Sequence, residues 1–369
     1  MGEVLGIGLS HYPGFAYPDG DMAMRIKLNL TSDKVPAALK DRANWPAPMQ
    51  AEWGEDEGLS FAPKHREQFV AGVRRLRAIL DAFRPDALIV CGDDQYENFH
   101  EDIIPPFCCY IRERFETQPF LKARGGPPRP NIWGEPDDHV FVTPGHPDIG
   151  RYLVSALIDG GFDMPYSYEC LHKQGLGHAF INTVLYLDYD RKGWPYPMVP
   201  IHVNAYGSAV IRNRGGSRHL FSEDSGIPDP PAPSPRRCFE LGQAIARVMA
   251  ASPWRVAIVG SSSWSHAFLT PKNHWLYPDV PADRARFEEL RAGNFTAWRD
   301  LRREDMELSG QQELLNWVPM AGAMYELGQQ PAWCDFLESY VMNSSKCAAV
   351  FPPPSLRELA TAPQAVAAV

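Results

Sequence analysis

Three short, unbroken apolar runs divide the chain: Val4–Leu9, Ala87–Cys91 and Val256–Val259, each followed at once by small or polar residues. Runs this short and this continuous predict strands buried on both faces, as in a parallel sheet. Met198–Val203 reads the same way. Between the runs the period changes to that of a helix. Phe69, Val70, Val73, Leu76, Ile79, Leu80 and Phe83 recur at helical spacing over about 64–83, and Pro85 ends the pattern. Further helices are predicted from Asp148 to about Gly160 and from Phe239 to Met249, while Val184–Leu187 reads as helix or as the link out of one. The stretch from Asp283 onward reads as mainly helical, with Gln311–Val318 a clear segment before Pro319.

Strands alternating with helices predict an α/β fold with a central, mostly parallel or mixed sheet and helices on both faces. The expected organisation is a single large catalytic domain over 1–358, helical from about 283, with a disordered tail over 359–369. Residues 12–60 are rich in Pro, Gly, Trp and Asp and weakly periodic, which suggests a functional loop, either a lid or an oligomer contact. Residues 122–138 read as another Pro/Gly/Arg-rich loop, and 207–235, holding Gly215-Gly216 and several prolines, is the best candidate internal boundary but reads rather as a surface excursion.

Composition narrows the class. Hydrophobic residues at 44% and charged residues at 22% are the usual globular mixture. A net charge of -9 argues against binding a phosphate backbone, so nucleic acid is not an expected partner. No window approaches the roughly 18 apolar residues of a membrane span, and the N-terminus lacks the basic start of a secretory signal. The seven cysteines form no C-x-x-C pair, so neither a disulfide framework nor a zinc ribbon is expected and a reducing cytoplasm fits best.

The polar residues that end the runs carry the candidate chemistry. His11 follows the first strand and is placed either to offer a metal a lone pair or to serve as a structural hydrogen-bonding group. In Gly92-Asp93-Asp94-Gln95 two adjacent carboxylates would repel if both pointed inward, so either one coordinates a cation while the other caps a helix or holds the loop, or the pair is only a turn rich in Asx capping bonds. His178, flanked by Gly177 and Ala179, suits an acid/base group that substrate approaches closely, or simply a tight entry into a helix. His266 ends a Ser-rich strand exit, with His274 and Asp279 as further possible ligands in the same loop. His65 reads as solvent-facing and His146 as a turn and helix start. The chain lacks G-x-S-x-G, a P-loop and a complete G-x-G-x-x-G.

Taken in order, these strings resemble the class III extradiol ring-cleaving dioxygenases, the superfamily of the protocatechuate 4,5-dioxygenase β subunit. The resemblance runs through Gly8-Leu9-Ser10-His11, Pro85 to Asp94 with Ile103-Ile104-Pro105, Gly145-His146-Pro147-Asp148 and Gly175 to Phe180. It continues through Val199-Pro200 with Asn204, Pro235 to Phe239, Val259-Gly260 with Ser265-His266, and Asn316-Trp317. It implies a non-haem Fe(II) centre of two His and one carboxylate, with open positions for a catechol-like substrate and O₂. By the resemblance His11 is the first ligand and His178 the catalytic acid/base, with His266 a catalytic neighbour just behind the ligands.

Here the sequence departs from the family. The second His ligand falls within Asp93-Asp94-Gln95, at Gln95 by spacing, with Asp94 the nearest strong ligand, and the carboxylate falls near Asp279. The expected set is therefore His11, Asp94 and Asp279, a harder site that suits Fe(II) but also Mn(II) or another divalent ion. His65 or His274 remains an alternative imidazole. The implied activity is extradiol-type cleavage of a hydroxylated aromatic ring in a homodimer or larger assembly. A metal-dependent hydrolase or lyase, or a metal-free binding subunit, is the alternative. Tyr12, Tyr96, Trp264 and Trp275 suit a flat ring, and Arg212, Arg214 and Arg218 are read as facing water.

Overall fold

The computed structural model describes residues 2–121, 130–173, 175–207, 212–221 and 229–361. Its strands are β1 (Val4–Leu9), β2 (Ala87–Gly92), β3 (Phe107–Tyr110), β4 (Arg114–Thr117), β5 (Phe141–Pro144), β6 (Tyr166–Ser167), β7 (Met198–Val203), β8 (Val256–Ser261), β9 (Trp333–Leu337) and β10 (Lys346–Phe351). The helices that matter for the site are α1 (Met24–Asn29), α2 (Ala62–Phe83), α3 (Pro147–Asp159), α4 (His178–Leu187), α5 (Pro235–Ala250), α6 (Val280–Arg291) and α7 (Val318–Glu326).

Eight strands form one sheet in the order β6-β3-β7-β2-β8-β1-β10-β9, and β4 and β5 pair separately. The middle of the sheet, β7-β2-β8-β1, is parallel, and β10 and β9 extend it antiparallel at one side. Alternation along the central strands explains why both faces are covered. Leu5, Ile7, Leu88, Val90, Ala257 and Val259 face α2 and α4, while Ile89, Cys91, Val256 and Ile258 face α3, α5 and α7. The predicted α/β class and the four long strands are observed.

Helices α5 and α7 touch backbone to backbone. A Cβ on Gly242 would lie 1.8 Å from the Pro319 carbonyl oxygen, and one on Gly322 would lie 2.2 Å from the Phe239 carbonyl oxygen. Neither obstacle is a side chain that can swing aside. Gly242→Ala is therefore expected to destabilise the fold by about 3 kcal/mol, the upper end for overpacking, read as a lower midpoint in urea unfolding; an unchanged midpoint would show that the helices slide apart freely.

Three expectations change. The C-terminal part is helical as far as Glu326, but it then adds two strands, β9 and β10; Trp333-Cys334-Asp335-Phe336-Leu337 is a half-buried edge strand with no apolar run, and β10 begins on a charged residue, Lys346. Residues 12–60 are not an open loop. They fold into short helical pieces around a small core of Ile26, Val35, Trp45, Met49 and Trp53, closed by Leu276 and Val341. The tail begins with a helical turn, Arg357–Thr361, and the rest of it lies outside the described residues, as do 122–129, 208–211 and 222–228.

Candidate metal centre

The strands β2, β8 and β1 are adjacent and parallel, so their C-terminal ends open on one edge, where α/β sheets place reactive groups. Asp93 follows β2 directly, His11 lies two residues past β1, and His266 follows β8. His178 opens α4, and Glu313 sits in the short helical turn Gln312–Asn316 before α7. That turn is located by Trp317. Its ring lies where Cβ atoms on Gly8 and Gly260 would be, and its Nε1 donates to the Ser262 carbonyl at 2.9 Å.

His11 is oriented by its far nitrogen. Nδ1 lies 3.0 Å from the Ser261 carbonyl oxygen, so it carries the proton and leaves Nε2 as a lone-pair donor. That Nε2 faces two carboxylates, 3.8 Å from Asp93 Oδ1 and 3.6 Å from Glu313 Oε2. Each acid has one oxygen held and one left over. Asp93 Oδ1 accepts from Asn316 at 2.7 Å, and Glu313 Oε1 accepts from the Tyr206 hydroxyl and from Gln95 at 3.3 Å. Asp93 Oδ2 and Glu313 Oε2 are buried without a hydrogen-bond partner among the described residues.

Two more imidazoles complete the cluster. His266 Nδ1 donates to the Trp264 carbonyl at 3.0 Å, turning Nε2 to within 3.3 Å of Glu313 Oε2. His178 Nε2 lies 3.9 Å from Asp93 Oδ2, and its Nδ1 is bound by Glu97 Oε2 at 2.9 Å. Glu97 also accepts the His178 backbone N–H at the start of α4 and an ion pair from Lys173 at 2.7 Å. His11, Asp93 and His178 form a group that could hold a metal, their ligand atoms all within 4.8 Å of one another.

The electrostatics describe a dry pocket with excess negative charge. Burial raises the pKa of Asp93, and burial together with the Asp93 charge raises that of Glu313 well above the usual range. Burial, then the neighbouring His178 and His266, hold His11 well below its ordinary value, and burial takes His266 down to about 3. Burial also pulls on His178, but the Glu97 carboxylate outweighs it, with Asp93 and Glu313 adding, and lifts the group to about 9. An unpaired carboxylate oxygen such as Glu313 Oε2, buried against the neutral imidazoles of His11 and His266, is costly unless a cation satisfies it. The donor set therefore fits a divalent metal.

Not every expected residue is brought here. Asp94 turns away, its two oxygens accepting the backbone N–H groups of Glu97 at 2.9 Å, Asn98 at 2.8 Å and Phe99 at 3.3 Å. It is the loop-holding member of the pair, and Asp93 is the inward one. Asp279 caps α6 through the Ala282 N–H and pairs with Lys272, so its carboxylate is engaged outside the cluster. His65 is buried between Phe15 and Phe61 rather than solvent-facing, and His274 is an exposed residue ending a short helical turn. His146 caps α3, as its turn suggested. Trp264 packs against Trp298 and Trp317 in the core. Glu313, Glu97 and Tyr206 were not singled out by sequence, although Glu313 stands one helical turn before Asn316 in a string that was.

Residues 229–345 match the family model described as the catalytic LigB subunit of aromatic ring-opening dioxygenase. The match covers about a third of the chain. The matched span contains His266 and Glu313, while His11, Asp93 and His178 lie before it. A 2,3-dihydroxyphenylpropionate/2,3-dihydroxicinnamic acid 1,2-dioxygenase of Paraburkholderia phymatum is 27% identical over 58% of this chain and 57% of its own length. One from Photorhabdus laumondii is 22% identical over 60% and 56%. The chain thus spans a little over half the length of these two relatives. A relative of the same name from Cupriavidus necator is 25% identical over 76% of this chain and 92% of its own length.

Proposed function

We propose that the chain is a metal-dependent dioxygenase of the extradiol type that opens a catechol-like ring with O₂. The observation that best supports this is the pair of orphaned oxygens, Glu313 Oε2 at 3.6 Å from the lone-pair nitrogen of His11 and Asp93 Oδ2 at 3.9 Å from His178 Nε2. In this reading His11, Asp93 and Glu313 hold the ion, with His266 Nε2 against the same Glu313 oxygen as a further nitrogen donor. A divalent ion bound there, Fe(II) by family or Mn(II) by the hardness of the donors, supplies open positions for the two ring hydroxyls and O₂.

The chain's own groups do the rest. His178 presents Nε2 to the centre and takes or returns the hydroxyl proton there, while Glu97 fixes the ring from behind. Gln95 holds the Tyr206 hydroxyl at 2.7 Å and keeps Glu313 Oε1 occupied, so the free Oε2 stays turned inward. A cavity of about 230 Å³ opens over His11, Gln95, His178, His266 and Glu313 and admits a single flat ring. The seven cysteines are unpaired thiols, which supports a reducing compartment, and among the described residues no helix is long and apolar enough to cross a membrane.

One rival is favoured by a specific feature. Two carboxylates, Asp93 and Glu313, facing one imidazole suit a divalent-metal hydrolase or lyase that does not use O₂. Metal analysis of anaerobically purified protein, followed by oxygen uptake with a panel of catechols, separates them. The expected result is one divalent ion per chain and O₂ uptake with at least one catechol. Chelator-sensitive turnover without O₂ would favour the rival, and a chain with no stoichiometric metal would favour a binding subunit.

A further inference from the structure

One side chain in the wall of the cavity over the metal centre is held in place with its own bonding left open. Asn343 lines that cavity with His11, Tyr12 and His266 and is only 5% exposed, yet its Oδ1 is buried without a hydrogen-bond partner among the described residues. A polar atom buried in that way is costly unless something enters to pair with it. The backbone there is unusual as well. Asn343 has a φ of 64°, in the left-handed region that few residues other than glycine adopt and that Asn tolerates better than most.

The loop carrying Asn343 is tied down by two buried charges that the metal centre does not use. Glu52 accepts from the Tyr340 N–H at 2.6 Å, from the Val341 N–H at 3.1 Å and from the Ser339 hydroxyl. Lys346 donates to the carbonyls of Met342, at 2.7 Å, and Ser344, and lies over the Tyr12 ring at 4.1 Å. The Asn343 carbonyl accepts the Ala267 N–H at 2.7 Å, beside His266. The backbone is thus fixed on every side while the amide points at the cavity unpaired, as a contact built in advance for a ligand would be.

Its place in the sheet says which part of a ligand it meets. β10 runs antiparallel to β1, so its start, just after Asn343, lies at the edge where β1 ends. In the row β2-β8-β1-β10 Asn343 stands at one end, while Gln95, which follows β2 and is engaged by Tyr206 and Glu313, stands at the other. A cavity of about 230 Å³ holds little more than one ring, so a ring whose two hydroxyls meet the centre brings its next position against the wall that holds the amide.

Resting on the ring-opening reading above, we propose that the Asn343 amide binds a hydroxyl on the ring carbon next to the pair that meets the metal, which selects trihydroxylated rings over catechols with an apolar group at that position. A phenol hydroxyl both donates and accepts, so it pairs with either end of the amide. It is also uncharged, which suits a cavity whose inner end already holds Asp93 and Glu313 beside His11. A methyl group fills the same space and leaves the amide unpaired.

The test uses the full chain and two probes of matched shape, pyrogallol and 3-methylcatechol, titrated anaerobically by calorimetry so that no turnover is needed. Oxygen uptake with both is measured separately. Asn343→Gly removes the amide and keeps the left-handed backbone, and Asn343→Ala is the second variant should the first not fold. Wild type is expected to bind pyrogallol about 10- to 100-fold more tightly than 3-methylcatechol, the range set by leaving a buried polar group unpaired. That preference should vanish in the variant, whereas a merely structural role would weaken both probes alike and preserve their ratio. A ratio unchanged by the substitution overturns the proposal, as does a wild type that binds the two equally or binds neither. Pyrogallol-selective, Asn343-dependent binding without ring opening of any catechol would sink the dioxygenase reading and keep this one; ring opening with a ratio indifferent to Asn343 would do the reverse.

Discussion

Glu313→Gln should strip the protein of its stoichiometric divalent ion and lower kcat/KM for ring opening by roughly three orders of magnitude, the equivalent of several kcal/mol of lost charge stabilisation. The amide keeps the volume and one oxygen, so Tyr206 and Gln95 retain an acceptor, but the second position loses its charge next to His11 and His266. Metal content by elemental analysis and oxygen uptake are the readouts, with His11→Ala as the parallel variant. Asp94→Asn and Asp279→Asn make the opposite control. Their carboxylates hold a loop and cap a helix, so these variants should melt earlier and still carry metal. If Glu313→Gln keeps its ion while Asp279→Asn loses it, the ligand set proposed here is wrong.

His178→Ala should lower kcat by 10²- to 10⁴-fold, the usual worth of a positioned acid/base, without emptying the metal site. Glu97→Gln should fall between this variant and wild type, because it removes the ring's anchor and its largest favourable charge but leaves the imidazole. The pair also sets a pH dependence in the metal-free protein. The folded value of about 9 lies above the ordinary 6.5, so the stabilisation is fully present below about 6.5 and is lost as the pH rises through 9. Urea midpoints measured across that window should decline in wild type and stay flatter in Glu97→Gln. Equal slopes would show that the Glu97 contact contributes nothing to the proton on His178.

The sequence made the sheet legible because its central strands are buried on both faces and so appear as continuous apolar runs. The same rule hid β9, a half-buried edge with Asp335 in its middle. His11 and His178 were legible because the first stands just past a strand end and the second at a helix start between Gly177 and Ala179. Glu313 was not, because it follows Gln311 and Gln312 in a turn that looks merely polar and reaches the site only once Trp317 is seated against Gly8 and Gly260. Asp93 and Asp94 were indistinguishable as letters. What separates them is the loop that follows, whose three backbone N–H groups need an acceptor and take Asp94.

Arg25 meeting Ser217, and Ser32 donating to the Leu220 carbonyl at 2.5 Å, bind the 12–60 segment to the 207–235 excursion. The described parts of the two stretches with the weakest patterning thus form a common roof, while the proposed ion-holding floor hangs from the ends of three central strands. Roof and floor answer to different constraints. The roof can be rewritten, residue by residue, to admit other side chains on the ring while the chemistry beneath it stays the same, so a change of diet need not pass through a loss of catalysis.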